Sequence, residues 1–189
     1  MTLRLEPAEL SLAALDRAEA DSVAAFVGPA RPLQGLAGLL DWRLCAAISR
    51  AIVAGTFAPG SGEVLLLPGG GRLAAGRVLC FGLSDESEEA ALAAVAHAGE
   101  VLGKAGCRSL AASLPVERPG EGILRAWIET GLRHGLSRQV LLGDVRALTR
   151  DLAAAARGLG AEVEIAGPPA RVEPGERDVR LPVRSPVVR

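Results

Sequence analysis

Two rhythms of apolar and polar positions alternate along the chain. Short, almost uninterrupted apolar runs stand at residues 22–27 (SVAAFV), 63–67 (EVLLL), 77–83 (RVLCFGL), 108–114 (RSLAASL) and 138–142 (RQVLL). Runs of this length and composition predict strands buried on both faces. Between them the apolar spacing lengthens to three and four. Leu36, Leu40, Leu44, Ile48 and Ile52 recur every fourth residue, which predicts one helix over residues 36–52, stopped by Gly55. Leu92, Val95, Gly99 and Leu102 mark the inner face of a second helix, opening at Ser87-Glu88-Glu89 and closing at Gly106. Ile123, Leu124, Trp127, Ile128 and Leu132 form a wider stripe on a third. Asp144 can cap a fourth, whose face is Val145, Leu148, Leu152 and Leu159.

The flanking segments complete the order. Residues 2–5 alternate and predict a short edge strand, residues 7–17 one or two helical turns, and residues 162–165 a last short strand. Pro68-Gly69-Gly70-Gly71-Arg72 is a turn signal, so the runs at 63–67 and 77–83 form a hairpin with a long loop. Apolar strands flanked by amphipathic helices require a sheet covered on both sides. The predicted architecture is a three-layer α/β/α sandwich with a mixed sheet, one domain over residues 1–166. Residues 167–189 are rich in Pro and Arg without helical period, which suits a tail.

Composition narrows this picture. Hydrophobic residues make up 49% and aromatic residues only 3%, so the core must be built of Ala, Leu and Val. The net charge is −1, which gives no broad positive field and argues against a nucleic-acid partner. Lys104 is the only lysine, a bias we attribute to coding in a GC-rich bacterial genome. Cys45, Cys80 and Cys107 are odd in number, form no CxxC pair and have apolar neighbours, which predicts buried, reduced thiols. The N-terminus lacks a signal-peptide pattern, and no apolar run reaches about 18 residues. A cytoplasmic protein without a membrane span is the expectation.

Candidate chemistry is sparse. His97 and His134 have no Cys or carboxylate at ligand spacing, so no metal site is predicted. Ser84 and Ser113 stand near strand ends but lack a base, and there is no GxSxG elbow. No catalytic residue and no cofactor are predicted. Trp42 and Trp127 fall on apolar helix stripes, as core or interface anchors. The remaining candidate is the loop from Gly28 to Gly38 at the head of the first long helix. Free N–H groups and small residues there suit an anion, with Arg31 the nearest cation. The predicted ligand-binding residues are Gly28, Arg31, Gly35 and Gly38.

Four segments in order carry a resemblance: DWRLCAAISRAI from Asp41, Gly55-Thr56-Phe57, GEVLLLP from Gly62, and RVLCFGL from Arg77. Ala105-Gly106-Cys107-Arg108-Ser109-Leu110 adds a fifth. This succession resembles the N-terminal domain of the leucyl aminopeptidases, the cytosol aminopeptidase family. The resemblance implies a macro-domain-like fold. In that family a separate catalytic domain binds two metal ions around a motif Asn-Thr-Asp-Ala-Glu-Gly-Arg, which does not occur here. The resemblance therefore implies the non-catalytic domain alone. Its expected role is an interaction or regulatory module, acting through self-association as a homo-oligomer or by docking on a peptidase partner. The alternative is a macro-domain-type binder or hydrolase of ADP-ribose or a related nucleotide, held at the Gly28–Gly38 loop.

Overall fold

The computed structural model describes residues 2–159 and 163–167. Its strands are β1 (Leu3–Glu9), β2 (Ser22–Val27), β3 (Val64–Pro68), β4 (Arg77–Gly82), β5 (Ser109–Ala112), β6 (Arg138–Gly143) and β7 (Val163–Ile165). Its helices are α1 (Leu12–Arg17), α2 (Gly35–Arg43), α3 (Ala47–Val53), α4 (Glu88–Lys104), α5 (Glu121–Arg133) and α6 (Val145–Ala155). The strands form one sheet in the order β3-β4-β2-β5-β6-β1-β7. Only the β3–β4 pair is antiparallel, as the hairpin pattern predicts; the other pairs are parallel.

Alternation along each strand divides the core in two. Val23, Ala25 and Val27 of β2 pack with Leu15 of α1, Leu36 and Leu40 of α2 and Ile48 of α3. Ala24 and Phe26 point the other way, into a cluster with Val95 of α4, Trp127 of α5 and Leu152 of α6. Every residue of β2 is buried. Each Val or Leu removed from water in this way contributes about 1.5–3 kcal/mol. The three-layer mixed sandwich is thus the observed architecture. No helix among the described residues is long and apolar enough to cross a membrane.

Two sequence expectations are corrected. Residues 36–52 do not form one helix. The chain breaks between α2 and α3, where Cys45 and Ala46 take φ of 54° and 61°. Apolar spacing could not reveal this, because Leu36, Leu40, Leu44 and Ile48 remain buried across the break. Polar groups hold it instead. The Asp41 carboxylate accepts from the Ser49 N–H at 2.9 Å and from Ser49 Oγ at 2.6 Å, so α2 supplies the acceptor that caps α3. The same correction covers Cys45, which is exposed at the break where a buried thiol was expected; Trp42 lies within α2 away from its buried Leu36–Leu40 face and is 70% exposed, so it is no core anchor. Cys80 and Cys107 are buried as expected, and burial pushes the Cys80 thiol up to about 12, with Asp41 adding to the effect.

The second correction concerns β1. It runs to Glu9 and lies between β6 and β7, not at the edge. Pro7, which suggests a strand end, is accommodated by its side of the ladder. The Arg4 N–H donates to Ser137 O on the β6 side, so alternation turns the Pro7 nitrogen towards β7, whose pairing stops at Leu5–Ile165. The predicted tail lies outside the described residues beyond Gly167.

Candidate functional site

Parallel strands joined by helices return their loops to one end of the sheet, and a ligand crevice forms outside the carboxyl ends of such strands. Here that end carries a cleft of about 1170 Å³. Its walls come from the ends of β2 and β6, from Leu10 beyond β1, and from the loops that follow β2, β4 and β5. Phe26, Leu36, Leu114 and Leu148 supply apolar floor and sides. The charged lining residues are Glu86, Glu117, Asp144 and Asp151, against Arg118 and Arg150.

Part of this charge is already engaged. Asp144 Oδ1 accepts from the Arg146 and Ala147 N–H groups at 2.9 and 3.0 Å, which caps α6. Arg150 donates to both oxygens of Asp151, from Nε at 2.7 Å and Nη2 at 3.1 Å, and holds the Asp151 carboxyl below the usual carboxylate range. Glu86, Glu117 and Arg118 are exposed in the cleft. The α2 start is different. Gln34 gives no side-chain bond to its first turn; its Nε2 donates to Pro32 O at 3.1 Å instead. Gly35, Leu36 and Ala37 of that turn line the cleft.

The four predicted ligand-binding residues divide. Gly28 and Gly35 line the cleft, while Arg31 and Gly38 are not among its lining residues. Arg31 Nη1 donates to Gly28 O at 2.9 Å and Ala30 O at 2.7 Å, so the guanidinium closes its own loop. Gly38 lies one turn inside α2, where a Cβ would stand 2.4 Å from Leu33 O. Its small size lets the loop lie against the helix. The sequence does not place the residues of the opposite wall at a ligand site, although Ser113 stands out as a hydroxyl and Asp144 as a helix cap. Residues 113–119, Asp144 and Arg150 enter the cleft because β5 lies beside β2 and β6 beside β5, and that order is a long-range fact. The usable signal was position: the loop at 113–119 and Asp144 each lie at or just past the end of a predicted strand.

Polar groups at the amino ends of the strands have a different arrangement. Asp21 accepts from Ser22 Oγ at 2.6 Å and from the Arg108 and Ser109 N–H groups at 2.9 and 3.0 Å. Burial raises its pKa, but these hydrogen bonds and the Arg77 charge outweigh burial and hold the carboxyl below its ordinary range. Arg138 binds Glu6 through two parallel bonds, Nε–Oε1 at 2.9 Å and Nη2–Oε2 at 2.7 Å. The Arg138 hydrogen bonds lower the Glu6 pKa against burial, and the charges of Arg138 and Arg4 assist. These groups pair with one another and leave the carboxyl-end cleft as the open polar surface. His97 and His134 belong to neither cluster: His97 meets the Phe81 ring edge-on, and His134 packs on Gly103. Among the described residues no group of His, Cys, Asp and Glu stands where it could hold a metal ion.

A mixed sheet with helices on both faces and a cleft at the parallel strand ends defines a macro-domain-like fold. The DarG macrodomain of Mycobacterium tuberculosis matches it with a TM-score of 0.53 at 14% identity, over 76% of this chain and 100% of that one. The macro domain of ganglioside induced differentiation associated protein 2 matches with a TM-score of 0.54 at 13% identity, over 74% and 80% of the two chains. A mutant of tomato leucine aminopeptidase matches with a TM-score of 0.55 at 16% identity, over 82% of this chain and 35% of the enzyme. This chain thus corresponds to about a third of the aminopeptidase. No curated protein sequence matches. Residues 23–138 match the cytosol aminopeptidase family, N-terminal domain, and the chain belongs to that family.

Proposed function

We propose that this chain is a non-catalytic interaction module and that it docks a polypeptide segment in the carboxyl-end cleft. The observation that carries this reading is the cleft lining. It combines apolar walls with four carboxylates against two guanidiniums, one of them tied to Asp151. It contains no imidazole or thiol. Such a surface favours an apolar segment bearing positive charge and opposes a polyanion. A homo-oligomer or a peptidase partner could each present that segment. One observation favours a second reading, a nucleotide-type ligand: the first-turn N–H groups of α2 face the cleft without a side-chain cap.

Calorimetry on the full chain separates the two. We expect a synthetic peptide with the sequence of residues 180–189 to bind, and Glu117→Arg to weaken it. ADP-ribose should bind more weakly than the peptide. Leucine anilide should not be hydrolysed in the presence of zinc or manganese. Tighter binding of ADP-ribose than of the peptide, or hydrolysis that a chelator abolishes, would overturn the docking reading.

A further inference from the structure

We infer that the cleft is occupied in cis by the chain's own residues 180–189, which makes this segment a tethered competitor for any other polypeptide. The inference rests on the reading that the cleft docks a polypeptide. Three observations lead from that reading to this occupant: where the described chain ends, how much sequence follows, and the match of charge.

The last strand delivers the chain to the right end of the sheet. β7 runs parallel to β1, and β1 runs parallel to β6. The Ala166 N–H donates to Leu5 O at 2.9 Å, so the chain leaves β7 heading towards the carboxyl ends of β1 and β6. Leu10, just beyond β1, and Gly143, at the end of β6, both line the cleft. Strand spacings of ~4.8 Å and rises of ~3.3 Å per residue put Ala166 about 10–15 Å from that rim. Residues 168–179 can span up to about 40 Å. The tether therefore reaches the cleft with length to spare.

The chemistry of residues 180–189 (RLPVRSPVVR) matches the lining. Arg180, Arg184 and Arg189 are its charged side chains, and it has no acidic one. Leu181, Val183, Val187 and Val188 are the apolar groups interleaved with them. The acidic residues of the tail, Glu173, Glu176 and Asp178, all precede this segment. Exposed Glu86 and Glu117 are free to meet the arginines, and the floor around Leu36 and Leu148 can take the valines. A tether of this length gives an effective concentration on the order of millimolar. An intrinsic dissociation constant of ~0.1 mM then keeps about nine chains in ten self-occupied.

The test compares the full chain with a full-length variant carrying Arg180→Ser, Arg184→Ser and Arg189→Ser. Each is titrated with the synthetic peptide of residues 180–189. Self-occupancy lowers apparent affinity by the fraction of clefts left open. The variant should therefore bind the peptide about tenfold more tightly than the unaltered chain. In parallel, initial rates of trypsin cleavage after Arg180 and Arg184 are followed by mass spectrometry in the unaltered chain and in Glu117→Arg. Cleavage should be about fivefold faster in Glu117→Arg, rising to about tenfold where release is complete, and the ratio should not depend on protein concentration. Equal peptide affinity in both chains, with cleavage unchanged by Glu117→Arg, overturns occupancy in cis and leaves the docking reading standing. Peptide binding to neither chain overturns both. Protection that grows with protein concentration assigns the cleft to a second copy's segment and also overturns the inference.

Discussion

Gly82 stands in the strand ending Phe81-Gly82-Leu83, one of the segments that carry the family resemblance, and its environment explains the need for glycine. A Cβ there would lie 2.1 Å from Pro59 O and 2.8 Å from Pro59 C. Both are backbone atoms of the short turn Pro59–Ser61, so no side-chain rotation can make room. Gly82→Ala should cost about 1–3 kcal/mol, the range of forced overpacking. Gly76 offers the control, because a Cβ there meets nothing within 4 Å. Urea unfolding should show a clearly lower midpoint for Gly82→Ala than for Gly76→Ala; equal midpoints would discredit the steric account. Arg31 teaches the complementary lesson. Its charge and position beside Gly28 were legible in the sequence, but the use of its guanidinium on its own loop carbonyls was not. A long side chain has many reachable partners, and sequence spacing does not choose among them.

Among the elements, the helices were legible to the extent that apolar periodicity determines them. Val95, Gly99 and Leu102 of α4 and Ile123, Leu124, Trp127 and Ile128 of α5 are buried as the spacing requires, with Leu92 and Leu132 partly buried at the margins. The break after α2 was not legible, since it is fixed by Asp41 and Ser49 across eight residues while the apolar spacing passes through it unchanged. A second hidden feature is how closely α4 and α5 approach. A Cβ at Gly99 would come 1.9 Å from Thr130 Cγ2, and one at Gly103 would come 2.7 Å from His134 Nδ1. Gly99 was counted among the apolar positions of its stripe, but its contribution is the absence of a side chain. Gly99→Ala should cost about 1–3 kcal/mol by pushing the helices apart, despite the better helix propensity of Ala. Thr130→Ser removes the methyl group in the way. The double variant should therefore recover most of the loss, with a coupling of about 1 kcal/mol or more in a thermodynamic cycle. Additive effects would show that the strain lies elsewhere.

At the scale of the whole molecule, the two ends of the sheet differ. Strand composition predicted the layers, and the parallel sheet then placed an open cleft at the carboxyl ends. Half of that cleft was not legible, because residues 113–119 and Asp144 meet the Gly28 loop only through a strand order that local sequence does not specify. The amino ends are stitched by pairs that join distant segments: Asp21 to Arg108 and Ser109, and Glu6 to Arg138. Both carboxyls are held below their ordinary values, 3.8 for Asp and 4.5 for Glu. A depressed folded-state pKa contributes stability that is complete above the ordinary value and is lost as pH falls through the folded one. Asp85 and Asp151 are also lowered, but Asp85 is exposed and Asp151 is paired with its chain neighbour Arg150, itself 76% exposed; such local surface pairs contribute little. Acid sensitivity should therefore come mainly from Asp21 and Glu6. Unfolding free energy measured in urea should be level near pH 6 and fall steadily once the pH drops below about 4.5. The Asp21→Asn/Glu6→Gln chain should be less stable at pH 6, because the Arg138 guanidinium and the Arg108 and Ser109 N–H groups lose a charged acceptor. Its stability should then decline less steeply with acid, so that the two curves draw together as the pH falls. Parallel curves over that interval would show that these two clusters do not bind the protons that unfold the sheet.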